Sequence, residues 1–237
     1  MRSIDGSWIE LDAADGTRIR AWLARPEDRA KAPGLIVYQE VFGVNEHIRE
    51  VCEKFAAEGF VALAPEIYHR TAPGRTFAYD DFPNAREHKN AMTLGGIEAD
   101  AKAMATWFHQ DRQAGGNALG AIGYCMGGRL AFLANTMLPL ACAASYYGGE
   151  IPTHLDRVPD LSGPHLFCWG GLDQAITWEQ RPRVIEAMKD AKKPFMDLVI
   201  SDAHHGFNCD MRPQVYSGAA ARQARSLTLA FLREHLG

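Results

Sequence analysis

Six short, mainly apolar runs recur along the chain: Gly34–Tyr38, Phe60–Ala64, Ala118–Tyr124, Ala141–Tyr147, His165–Trp169 and Phe195–Ile200. Runs of this length suit strands covered on both faces, as in a parallel sheet. Helical patterns lie between them. Ile48, Val51, Cys52, Phe55 and Ala56 follow the i, i+3, i+4, i+7, i+8 spacing, and Gly59 sits where a C-terminal cap belongs. Ala101, Met104, Ala105 and Phe108 repeat the pattern. Arg129–Leu138 is apolar almost all round, as expected of a central buried helix, and Ala220, Ala224, Leu227 and Phe231 share one stripe of the last helix. Strand and helix therefore alternate, which predicts a mostly parallel, doubly wound α/β sheet. Upstream, Trp8–Leu11 and Arg18–Leu23 flank Asp15-Gly16, which predicts an antiparallel hairpin at the N-terminal edge.

The chain carries no internal repeat, linker or low-complexity tract, so residues 1–237 read as one α/β domain. One long stretch, Tyr68–Asn84, shows no clear pattern and holds Ala72-Pro73-Gly74 and Phe82-Pro83. Long irregular connections are often functional, so this one is a candidate wall of an active site. The formal net charge of -4 gives no electrostatic footprint for nucleic acid or an anionic membrane. No apolar run approaches the roughly 20 residues that span a bilayer. The segment Met1–Gly6 lacks the apolar core of a secretory signal. The five cysteines, Cys52, Cys125, Cys142, Cys168 and Cys209, are scattered with no Cys-x-x-Cys, which suits a reducing cytoplasm.

Three strand ends carry chemistry. The run ending at Tyr124 leads through Gly123-Tyr124-Cys125-Met126-Gly127-Gly128 into the apolar helix, a G-x-C-x-G pattern. A strand that turns directly into a helix exposes the turning residue, and glycines two positions away let adjacent elements approach. The start of a helix also lowers a thiol's pKa, and the Met126 amide can face a developing oxyanion. A buried structural cysteine beside packing glycines is the competing reading. Next, Cys168-Trp169-Gly170-Gly171-Leu172-Asp173 places an acid 48 residues after Cys125. Alone, Asp173 would read as a loop residue capping a helix near Thr177. Finally, Ser201-Asp202-Ala203-His204-His205-Gly206-Phe207 places His205 32 residues after Asp173. The order nucleophile, acid, base is that of α/β-hydrolases. A metal role for the paired histidines lacks further ligands at suitable spacing.

With these motifs the chain resembles the dienelactone hydrolase (carboxymethylenebutenolidase) family of the α/β-hydrolase superfamily. The resemblance runs from Pro33 onward through Gln39-Glu40-Val41-Phe42-Gly43-Val44-Asn45, the Cys125 motif, Ser145-Tyr146-Tyr147-Gly148, Gly170-Gly171-Leu172-Asp173 and His205-Gly206-Phe207. It implies an α/β-hydrolase fold, with Cys125 as nucleophile, His205 as base and Asp173 as the acid that orients it. It implies that Glu40 holds the resting thiol and that the amides of Val41 and Met126 form the oxyanion hole. Read alone, Glu40 is a surface acid at a strand end. Arg86, Arg212 and Tyr146 are the implied substrate-binding residues. The family's reference enzyme has an arginine four positions after the base, where this chain has Cys209, so Arg212 would serve the same anion from another position. His204 has no implied role. The implied reaction is hydrolysis of an activated lactone or ester through an acyl-thioenzyme, with no metal or organic cofactor and no nucleic-acid or membrane partner. Two other readings are a broader esterase or thioesterase on the same triad, and a catalytically silent binding protein on this fold.

Overall fold

The computed structural model describes residues 2–28 and 30–237. The chain forms two compact units, Met1–Gly120 and Ala121–Gly237.

In the first unit, β1 (Ile4–Asp12) and β2 (Arg18–Pro26) form the expected antiparallel hairpin. It runs farther than the alternating segments alone indicate, with Ile4 opposite Pro26 at its open end. Trp8 lies opposite Trp22, and their rings meet edge to face at 5.4 Å. β2 pairs antiparallel with β4 (Val61–Pro65), and β4 pairs parallel with β3 (Gly34–Tyr38), giving the order β1-β2-β4-β3. Every residue of β3 and β4 is buried, as strands covered on both faces require. The helix α1 (Glu46–Ala57) connects them, and its buried side chains include the predicted stripe. Asn45 caps it by accepting the Ile48 N–H at 3.2 Å.

Two further helices follow, α2 (Phe82–Asn90) and α3 (Leu94–Gln110). α2 corrects the sequence reading, which left its first turn inside an irregular stretch. It buries only Ala85, so it writes no apolar stripe. Pro83 stands in its first turn, where a missing N–H costs no helical bond.

In the second unit the strands follow the order β5-β6-β7-β8, with β5 (Leu119–Tyr124), β6 (Cys142–Tyr146), β7 (His165–Gly170) and β8 (Phe195–Ile200). The β6–β7 and β7–β8 pairs are parallel. α4 (Met126–Met137), α5 (Gln180–Asp190) and α6 (Gly218–Leu236) are the connecting and terminal helices. The buried stripe of α6 runs through Ala220, Ala224, Thr228 and Phe231, with Leu227 only half-buried. The reading from apolar spacing passed over Thr228 because it is a polar type. Its hydroxyl lies 2.7 Å from that of Tyr146, so neither is left bare in the core. Among the described residues, no helix is long and apolar enough to cross a membrane.

Candidate active site

The turn from β5 into α4 is made by one residue. Cys125 takes φ 56° and ψ −118°, a left-handed region that costs a non-glycine residue about 1–3 kcal/mol. Its surroundings compel this geometry. Its N–H donates to the Tyr146 carbonyl at 3.0 Å, and its own carbonyl accepts the Gly128 N–H at 3.0 Å. A Cβ at Gly123 would stand 1.9 Å from the Gly127 oxygen, and one at Gly128 would stand 2.7 Å from the Gly148 Cα. Only glycine fits either place, so Gly123, two residues before Cys125, and Gly128, three residues after it, are steric requirements of the turn. Met126 opens α4, which puts its amide and the Cys125 side chain at the positive end of the helix dipole. Cys125 is partly exposed, whereas Cys52, Cys142, Cys168 and Cys209 are buried. Burial pushes the Cys142 thiol up to about 12 and drives those of Cys52 and Cys168 higher still.

Asp173 and His205 stand on the loops after β7 and β8. These loops are tied together by Gly171 N–H to Ile200 O at 2.8 Å and Leu172 N–H to Ala203 O at 2.9 Å. His205 Nδ1 lies 2.8 Å from Asp173 Oδ2. The other carboxylate oxygen, Oδ1, accepts the Ala175 and Ile176 N–H groups at 2.8 and 3.0 Å. The carboxylate therefore both braces its own loop and holds the imidazole. It does not cap a helix near Thr177, since α5 begins at Gln180. A carboxylate only accepts, so the proton between the two sits on Nδ1. His205 is also hydrogen-bonded to Cys125. Burial alone would pull the imidazole pKa down. The charge of Cys125 and the bonds to Asp173 and Cys125 outweigh it and push the value up to about 10. Cys125, Asp173 and His205 are thus brought together in one unit.

The other predicted residues fall out unevenly. Tyr146 is buried in the core with its hydroxyl on Thr228, and burial drives its pKa well above the ordinary phenol value. The tyrosine beside His205 is Tyr147, whose ring centroid lies 5.0 Å from the imidazole. Tyr146 ends a strand with its hydroxyl on Thr228 of α6, while Tyr147, at φ 38°, turns the chain at the strand's end. Sequence reasoning missed Tyr147, and only its place in the Ser145–Gly148 motif signals it. Arg212 reaches over Gly206, where a Cβ would stand 2.8 Å from Arg212 Nη1, so its guanidinium borders the residue after His205. Cys209 is fully buried and His204 is exposed.

Three predicted residues belong to the first unit. Glu40 is no surface acid: it is 0% exposed, and neither carboxylate oxygen has a hydrogen-bond partner among the described residues. Val41 is buried beside it, its carbonyl accepting the Tyr68 hydroxyl at 3.0 Å. Arg86 is exposed on α2. Among the described residues, no group of three or more His, Cys, Asp or Glu side chains is placed to hold a metal ion.

A nucleophile-type turn between strand and helix, followed by an acid and a histidine on later strand-end loops, defines the α/β-hydrolase class. Solved structures of that class share the fold. One is a candidate dienelactone hydrolase from Klebsiella pneumoniae, 29% identical, with a TM-score of 0.87 over 96% of this chain and 98% of that one. Another is an esterase from Pyrococcus furiosus, 17% identical, with a TM-score of 0.73 over 99% of this chain and 92% of that one. The model of the dienelactone hydrolase family matches residues 19–236, and the chain belongs to that family. A carboxymethylenebutenolidase from a Pseudomonas species is 32% identical over 233 residues, covering 95% of this chain and 94% of that protein. The chain is accordingly a hydrolase of the ester and lactone type.

Proposed function

We propose that the protein hydrolyses an activated lactone or ester through an acyl-thioenzyme on Cys125. The observation that carries this is the bonded series Cys125–His205–Asp173, with the imidazole held as a cation well above neutrality. An imidazolium beside the sulfur favours a thiolate, which attacks the carbonyl carbon. The oxyanion collects on the Met126 amide and, by the resemblance, on that of Val41. Collapse of the tetrahedral adduct breaks the carbon–oxygen bond, and the leaving oxygen takes the proton from His205. Neutral His205 then removes a proton from water, which attacks the thioester and releases the acid and the thiolate. Asp173 keeps the imidazole in the required tautomer throughout. A thiolate leaves more readily than an ordinary alkoxide, so the adduct would revert with a simple alkyl ester. An enol lactone or similarly activated ester avoids this.

The resemblance adds Glu40 as the restraint on the resting thiol, and Arg212 and Arg86 as partners of a substrate carboxylate. Arg212's guanidinium beside Gly206 supports the latter for one of the two. The family match spans both units, which supports reading the chain as one domain. Its five free cysteines suit a reducing cytoplasm.

The test is to quench the purified protein during turnover of an enol ester and map the acyl group by mass spectrometry. It should sit on Cys125, and Cys125→Ala should lose both adduct and activity. Full activity in that variant would sink the mechanism. Substrate choice is read from kcat/KM for a carboxylate-bearing ester and its methyl ester. Arg212→Ala should lower the first about 100-fold, as for a partly desolvated charge pair, and spare the second. Equal losses on both would remove the carboxylate from the proposal.

A further inference from the structure

Behind the turn that carries Cys125 lies a polar cluster buried in an otherwise apolar core. Asn135 on α4, Ser145 on β6 and His165 on β7 are each 0% exposed. The Ser145 hydroxyl lies 2.6 Å from the Gly128 carbonyl oxygen and 2.8 Å from His165 Nε2. His165 Nδ1 lies 3.4 Å from Asn135 Nδ2, which also donates to Gly163 O at 2.9 Å. Asn135 Oδ1 accepts the Gly163 N–H at 3.0 Å, which fixes the amide's orientation.

Proton counting gives this cluster a direction. A carbonyl can only accept, so the single hydroxyl proton of Ser145 goes to Gly128. Ser145 Oγ must then accept from His165, so Nε2 carries the ring proton. Burial holds the ring neutral, pushing its pKa down to about 3. Nδ1 is then a lone pair, and the second Asn135 N–H faces it. Every donor has an acceptor, running from Asn135 through His165 and Ser145 to Gly128. The rings of Phe132 and Phe167, centred 5.6 and 4.5 Å from that of His165, pack against the imidazole.

The receiving end is significant. Gly128 is the residue whose N–H holds the Cys125 carbonyl, wedged where no Cβ fits. We infer that Asn135, His165 and Ser145 form a one-way hydrogen-bond relay that grips Gly128 and so keeps Cys125 in its turned, partly exposed conformation. Ser145 and His165 are thus positioning residues of the nucleophile, an assignment that rests on the proposed role of Cys125. They touch neither substrate nor the reacting atoms. Their effect is on the placement of the sulfur relative to His205 and the start of α4.

The experiment compares wild type, Ser145→Ala and the double variant Ser145→Ala/His165→Leu. Ser145→Ala leaves the buried Nε2–H without an acceptor, so its melting temperature should fall, and kcat should drop roughly 10- to 100-fold with little change in KM. The double variant removes the orphaned Nε2–H but leaves the second Asn135 N–H without its acceptor, so it should regain part of the stability. It should not regain kcat, nor the wild-type pH profile of Cys125 alkylation. A double variant that recovers kcat and the alkylation profile along with stability would overturn the positioning role. Nitrogen NMR of histidine-labelled wild type supplies a readout free of any variant: His165 should be the neutral Nε2–H tautomer, and an Nδ1–H ring would overturn the relay. If Cys125→Ala stays active, the proposed mechanism fails by itself. The tautomer and the alkylation profile still judge the relay.

Discussion

His205 should hold its proton far past neutrality. Its ordinary pKa is near 6.5, and the bonded neighbours raise it to about 10. The imidazolium is therefore present throughout neutral pH and lost as pH rises through about 10, which removes the proton donor for the leaving group. NMR titration of its ring signals should give a midpoint near 10 in wild type and a lower one in Cys125→Ala, which deletes a raising partner. A midpoint near the ordinary value in wild type would contradict the ion-pair reading. Glu40 offers a second test. A buried carboxylate with no hydrogen bond is costly, which suits a group kept for function. On the proposed role of Glu40 as the restraint on the resting thiol, Glu40→Gln should make neutral-pH alkylation and peroxide inactivation of Cys125 run several-fold faster. Unchanged rates would leave Glu40 a structural residue. At this scale Cys125, Asp173 and His205 were legible because each closely follows an apolar run. Tyr147 was not, because a positive φ at a strand's end is set by the surrounding chain and not by residue type.

Among the elements, α6 shows how a polar residue can belong to a core. Thr228 and Tyr146 satisfy each other across the packing of helix and strand. Thr228→Val should leave the Tyr146 hydroxyl buried and bare, costing about 1–3 kcal/mol of stability. The double variant Tyr146→Phe/Thr228→Val should recover most of that, as read by denaturant unfolding. A double variant no more stable than the single one would show that the pair contributes nothing. The same interaction explains why the apolar spacing pointed to Leu227: periodicity weighs residue types, whereas the buried hydroxyl is matched by a partner 82 positions away. α2 escaped for the opposite reason. With Ala85 alone buried, there was no stripe to find, and its proline reads as a helix breaker unless the first turn is already known. The strands were the most legible elements, since burial on both faces leaves near-continuous apolar runs.

Across the molecule, the five cysteines divide into one partly exposed thiol and four buried ones. Titration of the native protein with a disulfide reagent should therefore consume one thiol quickly, and denaturant should release all five. Peptide mapping should place the fast label on Cys125, and a second equally fast thiol would contradict the burial pattern. The two ends of Asp173 carry a further consequence. One oxygen is claimed by the amides of Ala175 and Ile176 and the other by His205, so an asparagine there would have to divide its two chemistries between them. Its oxygen belongs with the two amides, which turns its NH2 towards Nδ1 and forces that nitrogen to accept. The imidazole would keep its place but carry its proton on Nε2, facing the thiol with nothing to receive. A change that preserves shape to within an atom would thus reverse the polarity of the site.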